Sequence, residues 1–176
     1  IITAQDLAKY EAIEREPIRG SYRGYEIISM PPPSSGGVVL VEMLNILEGF
    51  DLKAMGHNSA QYLHVVTESM RRAYADRAEF LGDPDFNEGM PLARLMDKDY
   101  AAELRETIDM DRKSESDPEK FASIYESEET THFSIVDKDG NMVSMTYTLE
   151  FGYGSGIVVA GGGFVPFEAN VREFVE

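Results

Sequence analysis

The sequence predicts an α+β protein whose helices lie before residue 109 and whose antiparallel strands follow residue 130. Three observations support this fold class. Apolar residues recur with helical spacing in the first part of the chain. Two apolar, β-branched segments flank a glycine-containing turn in the later part. Between them, residues 109–129 are charged and poor in apolar residues, so they cannot order themselves unaided.

Composition narrows the classes of function. The 176 residues are 43% hydrophobic and 27% charged, which suits one domain with a real core. No apolar run approaches the roughly 18 residues of a membrane span. With 32 acidic against 16 basic residues the net charge is -16, so a nucleic-acid backbone would be repelled. The lack of cysteine excludes thiol catalysis and disulfides. We therefore expect no nucleic-acid partner and no membrane span in this chain.

The first elements follow from caps and periodicity. A short helix capped by Thr3 is predicted to reach residue 16. Residues 22–30 are predicted to form one strand that ends at three prolines. The run 38–47 is apolar almost all round, which indicates a buried helix that Ser34 or Ser35 can cap.

Two further helices are predicted before the charged segment. The longest begins at Ser59 and runs to about residue 81, and another begins at Asp97 and runs to about residue 108. His64 lies one turn before Glu68, but a second histidine at helical spacing is missing from the pattern. The three histidines of the chain are scattered in the sequence, so we expect no metal site.

A threonine opens the predicted hairpin. Asp139 and Gly140 supply the turn, and about nine residues on each side of it bring Thr148 back toward Thr130. A threonine hydroxyl is a poor nucleophile unless a base lies beside it, and the α-amine of a chain-starting threonine can be that base. Taken alone, threonine at a strand entrance is better explained by its preference for strands.

Several motifs, in order along the chain, resemble the γ-glutamyltranspeptidase family of N-terminal-nucleophile (Ntn) hydrolases. Four motifs resemble the end of the family's large subunit: Tyr22-Arg23-Gly24-Tyr25, Met30-Pro31-Pro32-Pro33-Ser34-Ser35-Gly36-Gly37, Ala73-Tyr74-Ala75-Asp76-Arg77 and Leu81-Gly82-Asp83-Pro84-Asp85-Phe86. Two motifs resemble the start of the family's small subunit: Thr130-Thr131-His132-Phe133-Ser134-Ile135-Val136-Asp137-Lys138-Asp139-Gly140-Asn141, followed by Thr146-Tyr147-Thr148-Leu149.

The resemblance implies a fold and a division of the chain. The family fold is a four-layer αββα sandwich, of which this chain would form the middle portion. Residues 1–129 would be the C-terminal part of the large-subunit region, ending in the acidic linker 109–129. Residues 130–176 would begin the small-subunit region. The remaining segments of the same enzyme or a partner subunit are then expected, and exposed sheet edges favour self-association.

The resemblance also implies the site. The chain would be cut by its own chemistry between Glu129 and Thr130, which leaves Thr130 as nucleophile. Thr148 matches the family's second active-site threonine, which would orient the α-amine of Thr130. Glu150 stands where the family commonly has an asparagine that recognises the substrate. The chain after Phe164 also departs from the family's pattern, in a region expected to bind the substrate.

The implied activity is transfer or hydrolysis of small-molecule γ-glutamyl amides such as glutathione, with no metal or organic cofactor. The family resemblance favours a periplasmic or secreted location. Two alternatives stay open. One is a related Ntn acylase acting on β-lactam side chains or poly-γ-glutamate, which Glu150 and the altered tail would favour. The other is a non-catalytic fragment in which Thr130 has no role.

Overall fold

The computed structural model describes residues 3–116 and 130–148. Its elements, in chain order, are α1 (Ala4–Lys9), β1 (Ile18–Tyr22), β2 (Tyr25–Ser29), α2 (Gly36–Glu48), α3 (Leu52–Met55), α4 (Ala60–Phe80), α5 (Leu92–Leu95), α6 (Lys98–Glu106), β3 (Thr130–Val136) and β4 (Met142–Thr148). The chain divides into two compact units. The helical unit is Glu14–Ile124, and the hairpin unit combines Ile1–Ile13 with Tyr125–Glu176.

Helix α2 is the centre of the helical unit. It packs against α4, α6 and both strands of the β1–β2 hairpin. The buried core cluster joins it to β1 and α5 through Ile18, Val38, Val41 and Leu95. The apolar run 38–47 predicted a buried helix, and the structure confirms it, because most of α2 has little exposed surface.

Two serines at the N-terminus of α2 make different contacts. Ser34 Oγ accepts a hydrogen bond from the amide of Gly36 at 3.3 Å. Ser35 occupies the N-cap position, but its side chain makes no capping hydrogen bond. Its Oγ instead accepts from Arg77 Nε of α4 at 2.8 Å, so this serine joins two helices.

The prediction of one strand over residues 22–30 is wrong. The structure has an antiparallel hairpin in which Ile18 pairs with Ser29 and Tyr22 with Tyr25. Arg23 and Gly24, at φ 49° and 87°, form the turn between the strands. Two consecutive residues with positive φ make the turn that matches strand twist in a two-residue hairpin.

The prediction of a helix up to residue 16 is also wrong. Thr3 caps the helix as predicted, in a capping box with Asp6, but α1 ends at Lys9, and Tyr10 is extended at ψ 124°. The apolar side chains that suggested a longer helix, those of Leu7, Tyr10 and Ile13, are exposed. A short helix gains most of its stability from packing an apolar face, and these side chains pack little.

The two later helices agree with the sequence. Ser59 Oγ accepts from the amide of Tyr62 at the start of α4, and Asp97 Oδ1 accepts from the amides of Asp99 and Tyr100 at the start of α6. Within the described ranges, no helix combines the length and apolarity that crossing a membrane requires.

Candidate functional site

The β3–β4 hairpin carries the residues that the sequence singled out. Its strands pair in register from Val136 opposite Met142 to Thr130 opposite Thr148. The backbones of the two predicted active-site threonines therefore form the last rung at the open end of the hairpin. Glu129 and Glu150, predicted for the cleavage site and for substrate binding, lie outside the described residues.

The two faces of the β3–β4 hairpin differ in polarity. Directly opposite residues of an antiparallel pair share a face, and successive residues alternate between faces. One set of opposed positions pairs Phe133 with Met145 and Ile135 with Val143, which makes an apolar face. Thr130 and Thr148 occupy positions of the other parity, in the set that also pairs Ser134 with Ser144.

His132 lies in that second set and contacts both serines. Its Nε2 is 3.2 Å from Ser134 Oγ and 3.3 Å from Ser144 Oγ. Its position along β3 is two residues from Thr130, one repeat of the strand. Imidazole and hydroxyl groups donate and accept hydrogen bonds, so this face of the hairpin carries polar groups next to the Thr130–Thr148 rung.

The turn of the hairpin is held by one carboxylate. Asp137 Oδ1 accepts from the amides of Asp139 and Asn141 at 2.8 and 2.9 Å, and its Oδ2 accepts from Asn141 Nδ2 at 2.7 Å. The Asn141 side chain, followed by the backbone amides, lowers the pKa of Asp137. Gly140 has φ 84°, as the sequence predicted for this turn. These contacts fix the loop length and hence the register.

Two clusters of buried acids in the helical unit were not predicted as sites. Glu42 of α2 and Glu68 of α4 are each 1% exposed. Glu42 is a carboxyl group inside an apolar run, and Glu68 is spaced four residues from Arg72; both signals were available in the sequence. Within residues 3–116 and 130–148, no three acidic or histidine side chains come together in a group that could hold a metal ion.

The first cluster joins Glu42, Asp76 and Tyr100. Tyr100 Oη donates to Asp76 Oδ2 at 2.6 Å. Burial, followed by the charge of Asp76 and a hydrogen bond with it, raises the pKa of Glu42. The raised pKa means that the Glu42 carboxyl keeps its proton to a higher pH in the folded protein than in the unfolded chain.

Replacing Glu42 by glutamine is expected to flatten the dependence of stability on pH. The pKa of Glu42 is higher in the folded protein than in the unfolded chain. Glu42 therefore contributes its full stabilisation below the unfolded pKa, and this stabilisation is lost as pH rises toward the folded pKa. Between pH 5 and 8 the wild type should lose on the order of 2 kcal/mol relative to Glu42→Gln. Urea unfolding at several pH values measures this difference.

Glu48→Gln is the matched control on the same helix. Its carboxylate pairs with Lys98 at a partly exposed position, and that hydrogen bond lowers the pKa of Glu48. This substitution should therefore leave the slope between pH 5 and 8 close to that of the wild type. Equal slopes for Glu42→Gln and the wild type would show that Glu42 does not hold the proton.

Comparison with known proteins identifies the family. The sequence model described as "Gamma-glutamyltranspeptidase" matches residues 1–175. The chain belongs to the γ-glutamyltranspeptidase family. It therefore falls among the Ntn hydrolases, as the motifs predicted, in a family of transferases and hydrolases. The predicted enzyme family is confirmed.

Individual relatives carry related names. The chain is 51% identical over 168 residues to the glutathione hydrolase proenzyme of Escherichia coli (strain K12), which covers 94% of this chain and 29% of the relative. It is 44% identical over 165 residues to the acylase ACY 1 proenzyme of Pseudomonas sp. (strain SE83), with 94% and 29% covered. The chain thus spans less than a third of the length of these relatives.

A solved structure supports the fold. The crystal structure of the Helicobacter pylori γ-glutamyltranspeptidase matches with a TM-score of 0.62 and 47% identity, over 65% of this chain and 32% of that one. The mixed helix and strand content is therefore that of the γ-glutamyltranspeptidase family, as predicted.

Proposed function

We propose that this chain belongs to an enzyme that transfers or hydrolyses γ-glutamyl groups through Thr130, which becomes an N-terminal nucleophile when the bond to Glu129 is cut. The observation that carries the proposal is the pairing of Thr130 with Thr148 at the open end of the hairpin. Membership of the γ-glutamyltranspeptidase family and the proenzyme names of its relatives support it.

The processing step uses the side chain of Thr130 on its own backbone. The hydroxyl oxygen attacks the carbonyl carbon of Glu129, and the carbon–nitrogen bond between the two residues breaks as an ester forms. The departing nitrogen takes the proton of the hydroxyl. Water then hydrolyses the ester, which leaves a carboxylate on Glu129 and a free amine and hydroxyl on Thr130.

Turnover uses the groups that processing releases. The α-amine of Thr130 takes the hydroxyl proton as the oxygen attacks a γ-glutamyl amide, and the same proton then passes to the leaving amine. The resulting ester is released to water or to an amino-acid acceptor. In this proposal the Thr148 hydroxyl hydrogen-bonds the Thr130 amine and orients it, and Glu150 contributes to substrate recognition. No metal or organic cofactor takes part.

The proposal assigns the two sides of the cut to different chains. Residues up to 129 belong to the large-subunit region, and residues from 130 onward belong to the small-subunit region. We place both within a four-layer αββα sandwich completed by the other segments of the enzyme. The substrate is a small γ-glutamyl amide such as glutathione, the substrate named for the Escherichia coli relative.

A second candidate keeps the nucleophile and changes the acyl group. It is favoured by the 44% identity to the acylase ACY 1 proenzyme and by Glu150, which stands where the family commonly has asparagine. A carboxylate at a substrate-binding position would repel anionic groups that an amide would accept. This candidate predicts preference for acyl groups other than γ-glutamyl.

Two measurements on the full-length protein test these proposals. Intact-mass analysis during incubation should show one mass replaced by two that meet at Glu129 and Thr130. Chromophore release from γ-glutamyl p-nitroanilide, compared with the p-nitroanilide of an uncharged acyl group such as butyryl, should favour the γ-glutamyl compound. Preference for the uncharged acyl group would support the acylase instead. A single mass that persists, together with no turnover of either anilide, would refute both candidates.

A further inference from the structure

A buried ion pair on α4 holds the segment that follows α6. Glu68 is 1% exposed and Arg72 is 11% exposed, and Arg72 Nη1 donates to Glu68 Oε2 at 2.7 Å. Ser114 completes the group, because its amide donates to Glu68 Oε1 at 3.0 Å and its Oγ to Glu68 Oε2 at 2.5 Å. Arg72 Nη2 also donates to Ser114 Oγ at 3.3 Å. We call Glu68, Arg72 and Ser114 the Ser114 clamp.

Further contacts extend the attachment on both sides of Ser114. Arg72 Nε donates to the Leu104 carbonyl and to Thr107 Oγ1 at the end of α6. Arg71 Nη1 donates to the Ser114 carbonyl and to Ser116 Oγ. His64 Nε2 lies 2.8 Å from the Asp109 carbonyl. Residues 107–116 are thus attached to α4 at several points.

The clamp depends on an ionised carboxylate. Burial opposes ionisation of Glu68, but the hydrogen bonds from Ser114 and Arg72 outweigh it and lower its pKa to about 2. The carboxylate is therefore charged at any physiological pH and accepts from both partners. Charge-assisted hydrogen bonds of this kind are stronger than neutral ones. Ser114 is half-buried, whereas its neighbours Lys113 and Glu115 are exposed.

The position of the clamp in the sequence suggests its role. Ser114 lies sixteen residues ahead of Thr130, in the stretch of sequence between α6 and the proposed cut. A reaction of a backbone carbonyl with a neighbouring hydroxyl depends on how the chain is held on each side. Without the clamp, the segment would keep the contacts of His64 with Asp109 and of Arg71 with Ser114 and Ser116, but it would lose the contacts with Glu68 and Arg72.

We infer that Glu68 and Arg72 are positioning residues for processing, because they hold Ser114 on α4 and so fix the point from which the chain runs toward Glu129 and Thr130. After the cut, the same contacts keep Ser114 of the first chain on α4. The inference rests on the proposed function, since it concerns the cut ahead of Thr130. Glu68 and Arg72 act through Ser114 and touch no substrate in this proposal.

The decisive variant is Ser114→Ala, which removes the hydroxyl and leaves the Glu68–Arg72 pair intact. The bonds after Arg112 and Lys113 are targets for trypsin and report local opening. In the full-length protein, the rate of tryptic cleavage there should rise about tenfold, because two charge-assisted contacts are lost. The half-time of processing should lengthen by about threefold or more. Turnover of γ-glutamyl p-nitroanilide per processed chain should stay within about twofold of the wild type.

Two other variants serve as controls for Ser114→Ala. Ser116→Ala removes only an exposed contact of Arg71, and it should change both rates by less than about twofold. Ser114→Thr keeps the hydroxyl and should restore protection from trypsin and normal processing. It also tests the inference if Ser114→Ala is too poorly folded to purify, because failure to restore processing would then contradict the role of the hydroxyl.

The inference is overturned if Ser114→Ala opens the tryptic sites but is processed at the wild-type rate, or if neither rate changes. It is also overturned if processing and turnover per processed chain fall together, since that would indicate general damage. If the wild type itself never yields two chains, it is the proposed function that fails, and the two failures are therefore distinguishable.

Discussion

The Thr130→Ala variant of the full-length protein is expected to remain one polypeptide and to lose turnover of γ-glutamyl p-nitroanilide by at least about a thousandfold. Both losses have one cause, because the hydroxyl that attacks the Glu129 carbonyl is also the nucleophile toward the substrate. Intact-mass analysis over the time in which the wild type is processed gives the first result. Chromophore release gives the second.

Thr131→Ala is the matched control for this prediction. Thr131 is the next residue of β3, and its position pairs with Tyr147 on the opposite parity of the hairpin. Its loss should leave both processing and turnover within about tenfold of the wild type. Thr130→Ser keeps a hydroxyl and should still be cut. Two chains from Thr130→Ala, or full turnover by an uncut protein, would contradict the role proposed for Thr130.

The Gly37→Ala variant is expected to lose about 3 kcal/mol or more of unfolding free energy. A Cβ atom at Gly37 would lie 2.1 Å from the Met30 carbonyl oxygen and 3.3 Å from Ile18 Cβ. The clash with backbone cannot be relieved by a rotamer change, so either the start of α2 or the end of β2 must move. Urea unfolding of the purified protein measures the loss.

The adjacent glycine provides the control. A Cβ atom at Gly36 would meet nothing nearer than Ser34 Oγ at 3.5 Å. Gly36→Ala should therefore be neutral or stabilising, by up to about 1 kcal/mol, because alanine is the better helix former. If the two alanine variants differ by less than about 0.5 kcal/mol, the close approach of α2 to Met30 does not determine the stability of this region.

Local signals predicted the helices well where packing agrees with them. The caps at Ser59 and Asp97 correctly predicted where two helices begin, because a side chain at the N-cap satisfies nearby amides whatever surrounds it. Apolar spacing, by contrast, wrongly predicted that α1 continues beyond Lys9. Periodicity says which residues could share a face, but it does not say whether another element covers that face.

The hairpins show a similar contrast. The turn at Gly140 was predicted because an Asp-Gly pair stands between two apolar segments. The turn at Arg23 and Gly24 was missed because arginine seldom adopts positive φ, and the strands on either side are only five residues long. The likeness of the motifs to the γ-glutamyltranspeptidase family added what local rules could not, namely which threonine to examine.

The partners of the buried acids could not be assigned from the sequence. Glu68 has Arg72 one turn away, which would also suit an exposed ion pair, and Glu42 is one carboxyl group in an apolar run; the packing of α2 against α4 buries both. Asp76 and Ser114, their respective partners, lie 34 and 46 residues further along the chain. Contacts at such separations depend on the whole tertiary fold, which no local pattern encodes.

The turn held by Asp137 has a consequence for sequence insertions and deletions. A single residue added to or removed from the loop between β3 and β4 would shift the opposed positions by one. Thr148 would then face Thr131 or the residue before Thr130, and the apolar and hydroxyl-bearing sides of β4 would exchange. The length of the loop at residues 137–141, at the far end of the hairpin, thus determines whether Thr130 and Thr148 lie opposite each other.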